Sequence, residues 1–307
     1  MNIAVVGGSG FIGKRIVKNL CEQGHQVKVL DIRGENEQLP SGAIFSHCDI
    51  TNYQETLTGI QGIDAVFHLA GTVLNVARKN PRLAIELDGV GVANVLEACI
   101  KSGTSKFVYA SSFYVYDGLR PDQNVSEEDR TDIFSAEMFG AVKMAGEKLV
   151  YEYSRIHGLK YVVLRFGPAY GPDPRCTCVV YDFIRDGLRR LPLVIWGKGS
   201  RKNQYTYVND IASASTAVLD RQNEVFNIIS PEQVSLRDTA EALSRDYGFK
   251  VHYDVSKPEG PSLPYISPSK AIKELGWKPA TLSDGVRRTV EAVRADDLRE
   301  HVVAGIA

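Results

Sequence analysis

The stretch "VVGGSGFIGKRIV" (residues 5–17) decides the fold. Gly7, Gly8, Gly10 and Gly13 stand between an apolar, β-rich run and the start of an amphipathic helical pattern. The early glycines permit a tight turn and let backbone N–H groups approach a pyrophosphate. Gly13 lets the helix pack on the sheet with its N-terminus toward the phosphate charge. About 20 residues on, Asp31 ends the next apolar run, where a carboxylate accepts hydrogen bonds from both ribose hydroxyls of adenosine. Its charge repels a 2′-phosphate, which favours NAD over NADP. Ile32 and Arg33 complete this edge. Arg33 is read as a solvated cation in preference to a grip on that phosphate.

Working outward, short apolar runs alternate with helical patterns: "IAVVG", "QVKVLD", "AIFSHCD", "DAVFHLA", "KFVYASS" and "YVVLRFG". Runs apolar on both faces suit strands of a buried parallel sheet. Between them lie "FIGKRIVKNLCEQG", "PRLAIELDGVGVANVLEACIKSG" and "SAEMFGAVKMAGEKLVYEYSRIHG", each closed by a glycine able to act as a left-handed cap. This βαβ repetition predicts an α/β fold: a doubly wound parallel Rossmann sheet with a smaller α/β C-terminal lobe. From Phe166 onward, Pro168, Pro172, Pro174, Pro192 and "PEGPSLPYISPSK" interrupt regular patterns, while "VFNII" (225–229) reads as one more sheet strand. Residues 1–165, with a returning strand near 205–230, are therefore expected to form an NAD-binding domain. Residues 166–204 and 231–307 are expected to form a substrate-binding lobe, ending in a frayed helix at "DDLREHVVAGIA".

Composition excludes several classes. With 36 basic against 37 acidic residues the net charge is −1, so no global field recruits nucleic acid or a membrane surface. No apolar run approaches the roughly 20 residues needed to span a bilayer. The five cysteines are scattered, and Cys176 with Cys178 supplies two ligands where a closed zinc site needs four. His25, His47, His157, His252 and His301 lack metal-ligand spacing, so no metal is expected. His68 ends an apolar strand and is expected to be packed and hydrogen-bonded. The chain enters its first strand at once, without a leader pattern, which leads us to expect the cytoplasm.

The pieces "GGSGFIG", "HLAG" (68–71), "YASSFYVY" (109–116) and a lysine four residues after position 139 occur in order, followed by "VVLRFGPAYGP", "YTYVNDIASA", "SLRDTAEAL" and "KELGWKPATLSDGVRRTV". Nearly end to end, this sequence resembles the extended short-chain dehydrogenase/reductases, and within them the NAD-dependent sugar-nucleotide epimerase/dehydratase group. By position, the resemblance implies that Gly7, Gly10, Phe11, Ile12 and Gly13 surround the pyrophosphate, Asp31 the adenosine ribose, and Asp49 with Ile50 the adenine. Leu69, Ala70 and Gly71 line the cofactor's path, and Lys143 reaches the nicotinamide ribose. Thr72, Ser112, Phe113, Tyr114, Arg175 and Arg201 are expected at the substrate, a nucleotide sugar. A homodimer paired through residues 80–102 and 135–157 is also implied.

In such enzymes a serine or threonine, a tyrosine and a lysine carry the chemistry. Ser112 and Lys143 fill the first and third places; Phe139 stands in the second. Positions 139 and 143 lie i, i+4 on a helix that Ser135 is expected to cap, so both face one way. A phenol with a pKa near 10 needs nearby positive charge before it acts as a base at neutral pH, and phenylalanine has no proton to exchange. Three readings of Phe139 stay open. The chain is an engineered Tyr→Phe form, the preferred reading; or the substitution is natural and Tyr114, Tyr116 or Glu137 takes the proton; or the protein binds a dinucleotide without catalysis.

The family's dehydratases tend to carry an acidic pair, or an acid and a lysine, after the catalytic serine or threonine. Phe113 and Tyr114 occupy those places, which disfavours elimination, and the glutamate expected of a decarboxylase at position 114 is absent too. Epimerisation, or a simple reductase reaction on a non-nucleotide carbonyl, remains. Pro168 and Asn203 depart from the asparagine and arginine that the resemblance implies near a diphosphate. Arg175, Arg185, Arg189, Arg190, Lys198, Arg201 and Lys202 form a compensating basic cluster or a solvated face. Tyr181 and Trp196 are available to stack a nucleobase or to pack in the core.

Overall fold

The structure, a computed structural model, describes residues 1–34, 38–260 and 262–304. Its centre is a seven-stranded parallel sheet. The strands are β1 (Asn2–Val6), β2 (Gln26–Asp31), β3 (Ala43–His47), β4 (Ala65–His68), β5 (Lys106–Ser112), β6 (Lys160–Phe166) and β7 (Glu224–Ile228). They lie in the order β7-β6-β5-β4-β1-β2-β3. Every apolar run singled out above is one of these strands.

Continuous apolar runs arise because both faces of the sheet are covered. Ile3 and Val5 of β1 pack with Ile16, Val17 and Leu20 of α1 (Gly13–Glu22). Ala4 and Val6 turn the other way, onto Val92, Val95 and Leu96 of a helix on the opposite layer. Burying each such side chain contributes about 1.5–3 kcal/mol, so neither face tolerates a polar alternation.

The remaining helices of the sheet domain are α2 (Tyr53–Ile60), α3 (Val92–Ser102) and α4 (Met138–His157). Asn52 caps α2 by accepting from the N–H groups of Gln54 and Glu55. Gly103 and Gly158 close α3 and α4 in the left-handed conformation. Two expectations are corrected here. The pattern at 81–102 is not one α-helix: Pro81–Ile85 is α-helical, Glu86–Gly91 is π-helical, and only then does α3 begin. Nor does Ser135 cap α4. Its hydroxyl bonds Asp132, Glu137 is the N-cap residue without a side-chain cap bond, and the Glu137 N–H donates to Asp117 Oδ2 at 2.9 Å.

Beyond β6 the chain builds α5 (Val179–Leu188), α6 (Val208–Thr216) and α7 (Leu236–Tyr247), then a helix over Leu282–Ala304. Of the C-terminal stretch "DDLREHVVAGIA", residues 305–307 lie outside the described residues. A short parallel pair, Leu193–Trp196 with Val251–Asp254, joins α5 and α7 around a core that includes Tyr170, Tyr181, Phe183 and Ile184. The chain returns to the main sheet as β7, which pairs with β6 from Glu224↔Val162 to Ile228↔Phe166. Among the described residues no helix is long and apolar enough to cross a membrane.

Candidate active site

In an open parallel sheet, ligands bind beyond the carboxyl ends of the strands, at the point where the strand order reverses. Here that point lies between β1 and β4. A cleft of about 690 Å³ opens there, floored by the glycine turn after β1 and walled by the segments after β4, β5 and β6 and by the C-terminal lobe.

Gly7 has φ +81°, open to glycine without strain, and a Cβ there would come within 2.6 Å of Ala70 N. A Cβ on Gly13 would run into the Gly7 carbonyl. The two loops and the start of α1 are thus drawn together, and Gly7, Gly10, Phe11, Ile12 and Gly13 all line the cleft. Asp31 ends β2 beside them, its carboxylate accepting from Ser9 N at 3.1 Å and Arg33 N at 3.2 Å. A helix N-terminus above a close glycine cradle, with a carboxylate one strand away, fits a dinucleotide's pyrophosphate and ribose. Ile32 is exposed beyond Asp31. Asp49 turns its carboxylate onto Thr51, accepting from its N–H at 2.9 Å and its hydroxyl at 2.8 Å, and Ile50 is buried beside Gly91. Leu69 and Gly71 line the cleft, with Ala70 packed behind Gly7.

Ser112, at the end of β5, and Phe139 with Lys143, on the first turns of α4, meet in the same cleft. Ser112 Oγ accepts the N–H of Tyr114 at 3.2 Å. The Phe139 ring stands edge-on to Tyr114, centroids 5.6 Å apart, and Lys143 Nζ is 5.8 Å from its centre. Lys143 donates to the Ala110 carbonyl at 3.3 Å.

A residue that sequence reasoning missed anchors this corner. Asp88, in the π-helical segment, is fully buried and pairs through Oδ1 with Lys143 Nζ at 2.9 Å. Its other oxygen accepts from the N–H and hydroxyl of Thr72, at 2.9 and 2.5 Å. Burial works against the Asp88 charge, but Lys143 and then the Thr72 bonds hold its carboxyl below the usual range. Burial likewise opposes the ammonium of Lys143, yet Asp88, followed by Tyr109, carries it above the ordinary lysine value. The signal was readable: Ala84, Asp88, Val92 and Val95 share one helical face, so an acid sits in an otherwise apolar stripe.

His68 lies nearby at the end of β4, stacked 5.8 Å from Phe107 and 6.0 Å from Tyr109. It is packed as expected. The expected hydrogen bond is corrected, because neither ring nitrogen has a hydrogen-bond partner among the described residues. Burial, aided by the charge of Lys143, pushes its pKa down to about 3, so it is neutral.

The expected substrate side assembles in part. Thr72, Phe113, Tyr114, Arg175 and Arg201 line the cleft, as does Trp196, which is exposed. Arg175 is engaged by Asp173 at 3.1 Å and by the Ser9 carbonyl, which places it over the glycine turn. Arg201 lies against Tyr114, and its Nε is buried without a hydrogen-bond partner among the described residues. Arg185 is absorbed by Asp182 and Asp186, each at 2.9 Å, and Tyr181 is buried in the lobe core. Of the alternative proton acceptors, Tyr116 is buried behind β5, 2.9 Å from Asn227 Oδ1, and accepts from Arg165 at 2.7 Å. Glu137 is paired with Arg78. Only Tyr114 of the three lines the cleft.

Residues 3–228 match the model of the NAD dependent epimerase/dehydratase family. The chain belongs to that family. It is an extended short-chain dehydrogenase/reductase, and NAD is the cofactor of its kind of enzyme. It superposes on the UDP-glucose 4-epimerase of Thermotoga maritima, solved with UDP-glucose, with a TM-score of 0.89 and 29% identity, covering 96% of this chain and 99% of the other. A Tyr→Phe mutant of UDP-glucuronic acid 4-epimerase from Bacillus cereus, in complex with UDP-4-deoxy-4-fluoro-glucuronic acid and NAD, superposes with a TM-score of 0.85 at 28% identity, covering 96% and 99%. In sequence, the chain is 29% identical over 306 residues to the UDP-glucuronate 4-epimerase of Thermodesulfobacterium geofontis, covering 93% of this chain and 94% of that one.

Proposed function

We propose that this protein is an NAD-dependent epimerase of a nucleotide sugar, inverting C4 of a UDP-sugar, in which Phe139 makes proton transfer slow. The observation that carries the reading is the meeting of Ser112, position 139 and Lys143 beside the glycine turn, in one cleft. When bound, the oxidised nicotinamide takes a hydride from a carbon and returns it. The protein's part is positioning. Gly7, Gly10, Phe11, Ile12 and Gly13 hold the pyrophosphate, and Asp31 the adenosine ribose. Asp49 and Ile50 border the adenine, and Lys143 presents its charge to the nicotinamide ribose. Ser112 orients the sugar hydroxyl. Arg201 and Trp196, one a half-buried guanidinium and the other an exposed indole on the lobe side of the cleft, are our candidates for the diphosphate and the base. On this reading the segments around β7 divide the work: 1–165 with β7 binds NAD, while 166–204 and 231–307 hold substrate.

We further propose a homodimer formed through 81–102 and α4, whose outer faces expose Ile85, Val90, Tyr151 and Ile156. Five free cysteines suit a reducing compartment, the basis for proposing the cytoplasm. Sedimentation at micromolar concentration tests the dimer.

The second reading, a non-catalytic dinucleotide binder, is favoured by Phe139 alone. Phe139→Tyr distinguishes the two. We expect it to raise C4 inversion of UDP-glucose or UDP-glucuronate by about 10²–10⁴-fold, the usual worth of a positioned acid/base. No turnover and no UDP-sugar binding by either form would defeat the epimerase reading. Net consumption of reduced cofactor without inversion would point to a reductase.

A further inference from the structure

We propose that the Thr72 hydroxyl, backed by the buried Asp88 carboxylate, is this chain's own proton acceptor for the sugar hydroxyl. The proposal rests on the epimerase reading above and asks what replaces the phenol that position 139 lacks.

Glu259, Cys178 and Tyr205 line the cleft from the C-terminal lobe, with Glu259 already held by Lys198 N and Ser200 Oγ; on the sheet side, beside Ser112 and Phe139, the candidates are few. Ser112 Oγ accepts the Tyr114 N–H and has no carboxylate partner among the described residues to take its proton, so it orients the sugar hydroxyl without deprotonating it. Tyr114 is raised above its ordinary value by burial, against the opposing charges of Arg201 and Arg78, so it stays a neutral phenol. Lys143 is charged and can only donate. Thr72 differs from all of these: it lines the cleft, and its hydroxyl donates to Asp88 Oδ2 at 2.5 Å. A hydroxyl joined to a carboxylate that is itself held by a third group has the arrangement of an activated proton acceptor. That third group is Lys143, 2.9 Å from Asp88 Oδ1, and a second bond from Thr72 N at 2.9 Å fixes the carboxylate's orientation. The backbone is shaped for this contact. Gly71 has φ +155°, and a Cβ there would collide with Asp88 Oδ1. The π-helical turn at Glu86–Gly91 lies in the same helical segment and carries Asp88 inward, the kind of local irregularity that gathers at functional sites.

The step balances. The proton of the sugar O–H passes to Thr72 Oγ as the proton of Thr72 passes to Asp88 Oδ2. The electron pair of the neighbouring C–H bond leaves as hydride to the oxidised nicotinamide, and a C=O bond forms. Re-reduction from the other face reverses both proton transfers and returns Asp88 to its ion pair. The groups facing Asp88 are Lys143 from α4, His68 from β4 and Tyr109 from β5. His68 is neutral and Lys143 charged at neutral pH, so the carboxylate is ionised throughout that range. The relay is therefore weakly basic, slow and insensitive to pH there, whereas a phenol at position 139 would lose activity as pH falls.

The test uses the full chain with NAD and, as probes, UDP-glucose and UDP-glucuronate. Bound NAD is quantified by absorbance after denaturation and UDP affinity by calorimetry. The unaltered chain is expected to show measurable inversion, flat across neutral pH. T72V and D88N should each lose about 10²-fold in kcat, with NAD content and UDP affinity retained, and T72S should recover most of the T72V loss. In the F139Y background the T72V loss should shrink, because the phenol bypasses the relay. T72V breaks no ion pair and carries the test if D88N fails to fold. Retained kcat in T72V overturns the relay. So does an unaltered chain without turnover beside an active F139Y, an outcome that leaves the epimerase reading standing. Absence of turnover and of UDP-sugar binding in every form removes the reading and the relay with it.

Discussion

Lys143 Nζ sits 2.9 Å from Asp88 Oδ1, in space that Gly71 leaves open by having no side chain. Both partners are almost wholly shielded from water, with side-chain exposures of 7% and 0%. Separating such a pair strands a charge in a medium that solvates it poorly.

Gly71→Ala should therefore act through its neighbours. The new Cβ displaces the carboxylate and also demands a positive φ from an L-residue. We expect a loss of about 3–5 kcal/mol in urea unfolding, as for other broken buried pairs, and purification with less NAD.

Arg201 should matter to one ligand only. Arg201→Ala is expected to weaken UDP binding about 10- to 100-fold, the worth of a charge-assisted contact of roughly 1.5–3 kcal/mol. NAD content should stay the same. Calorimetric titration with UDP, repeated at high salt, checks both halves.

His68 predicts how stability varies with acid. Its pKa is about 3 in the fold, against an ordinary value near 6.5 once unfolded. Below pH 6.5 the unfolded chain takes up a proton that the native one refuses, so stability falls as pH drops toward 3 and is fully present above 6.5. The slope from this residue is about 1.4 kcal/mol per pH unit. His68→Leu should remove that part of the slope, measured as the difference between the two chains in urea midpoints across pH 4–7.

A second buried pair braces the wall behind Ser112. Arg165 on β6 grips Glu147 of α4 with two bonds, at 2.8 and 2.9 Å, and Ser111 Oγ adds a third contact at 2.5 Å. Glu147→Ala should cost about 3–5 kcal/mol, while replacing both partners with apolar residues of similar volume should recover most of it. Thermal unfolding of the single and double variants gives the comparison.

What the sequence disclosed, and what it hid, follows from the range of the interactions involved. The seven sheet strands were legible because each is a short apolar run covered on both faces, a local property of composition. The glycine turn was legible because its backbone demands are met by one residue type at fixed spacing. The Asp88 network was not. Thr72, Asp88 and Lys143 come from a loop, a π-helical turn and a distant helix, and no spacing rule links them. The helix break at Glu86–Gly91 escaped for a related reason: a one-residue widening leaves the apolar period on either side intact. His68 misled because a histidine at a strand end normally finds a partner, whereas here two aromatic rings take its faces.

The edge strand β7 has a consequence for how the molecule is made. During synthesis β6 emerges long before residues 224–228, and until they arrive its outer edge offers unpaired amides and carbonyls to any passing strand. Sealing that edge therefore waits on chain that has already travelled through the smaller lobe. A newly translated polypeptide keeps the β6 edge open until residues 224–228 have emerged, after the first part of the smaller lobe and before the rest of it.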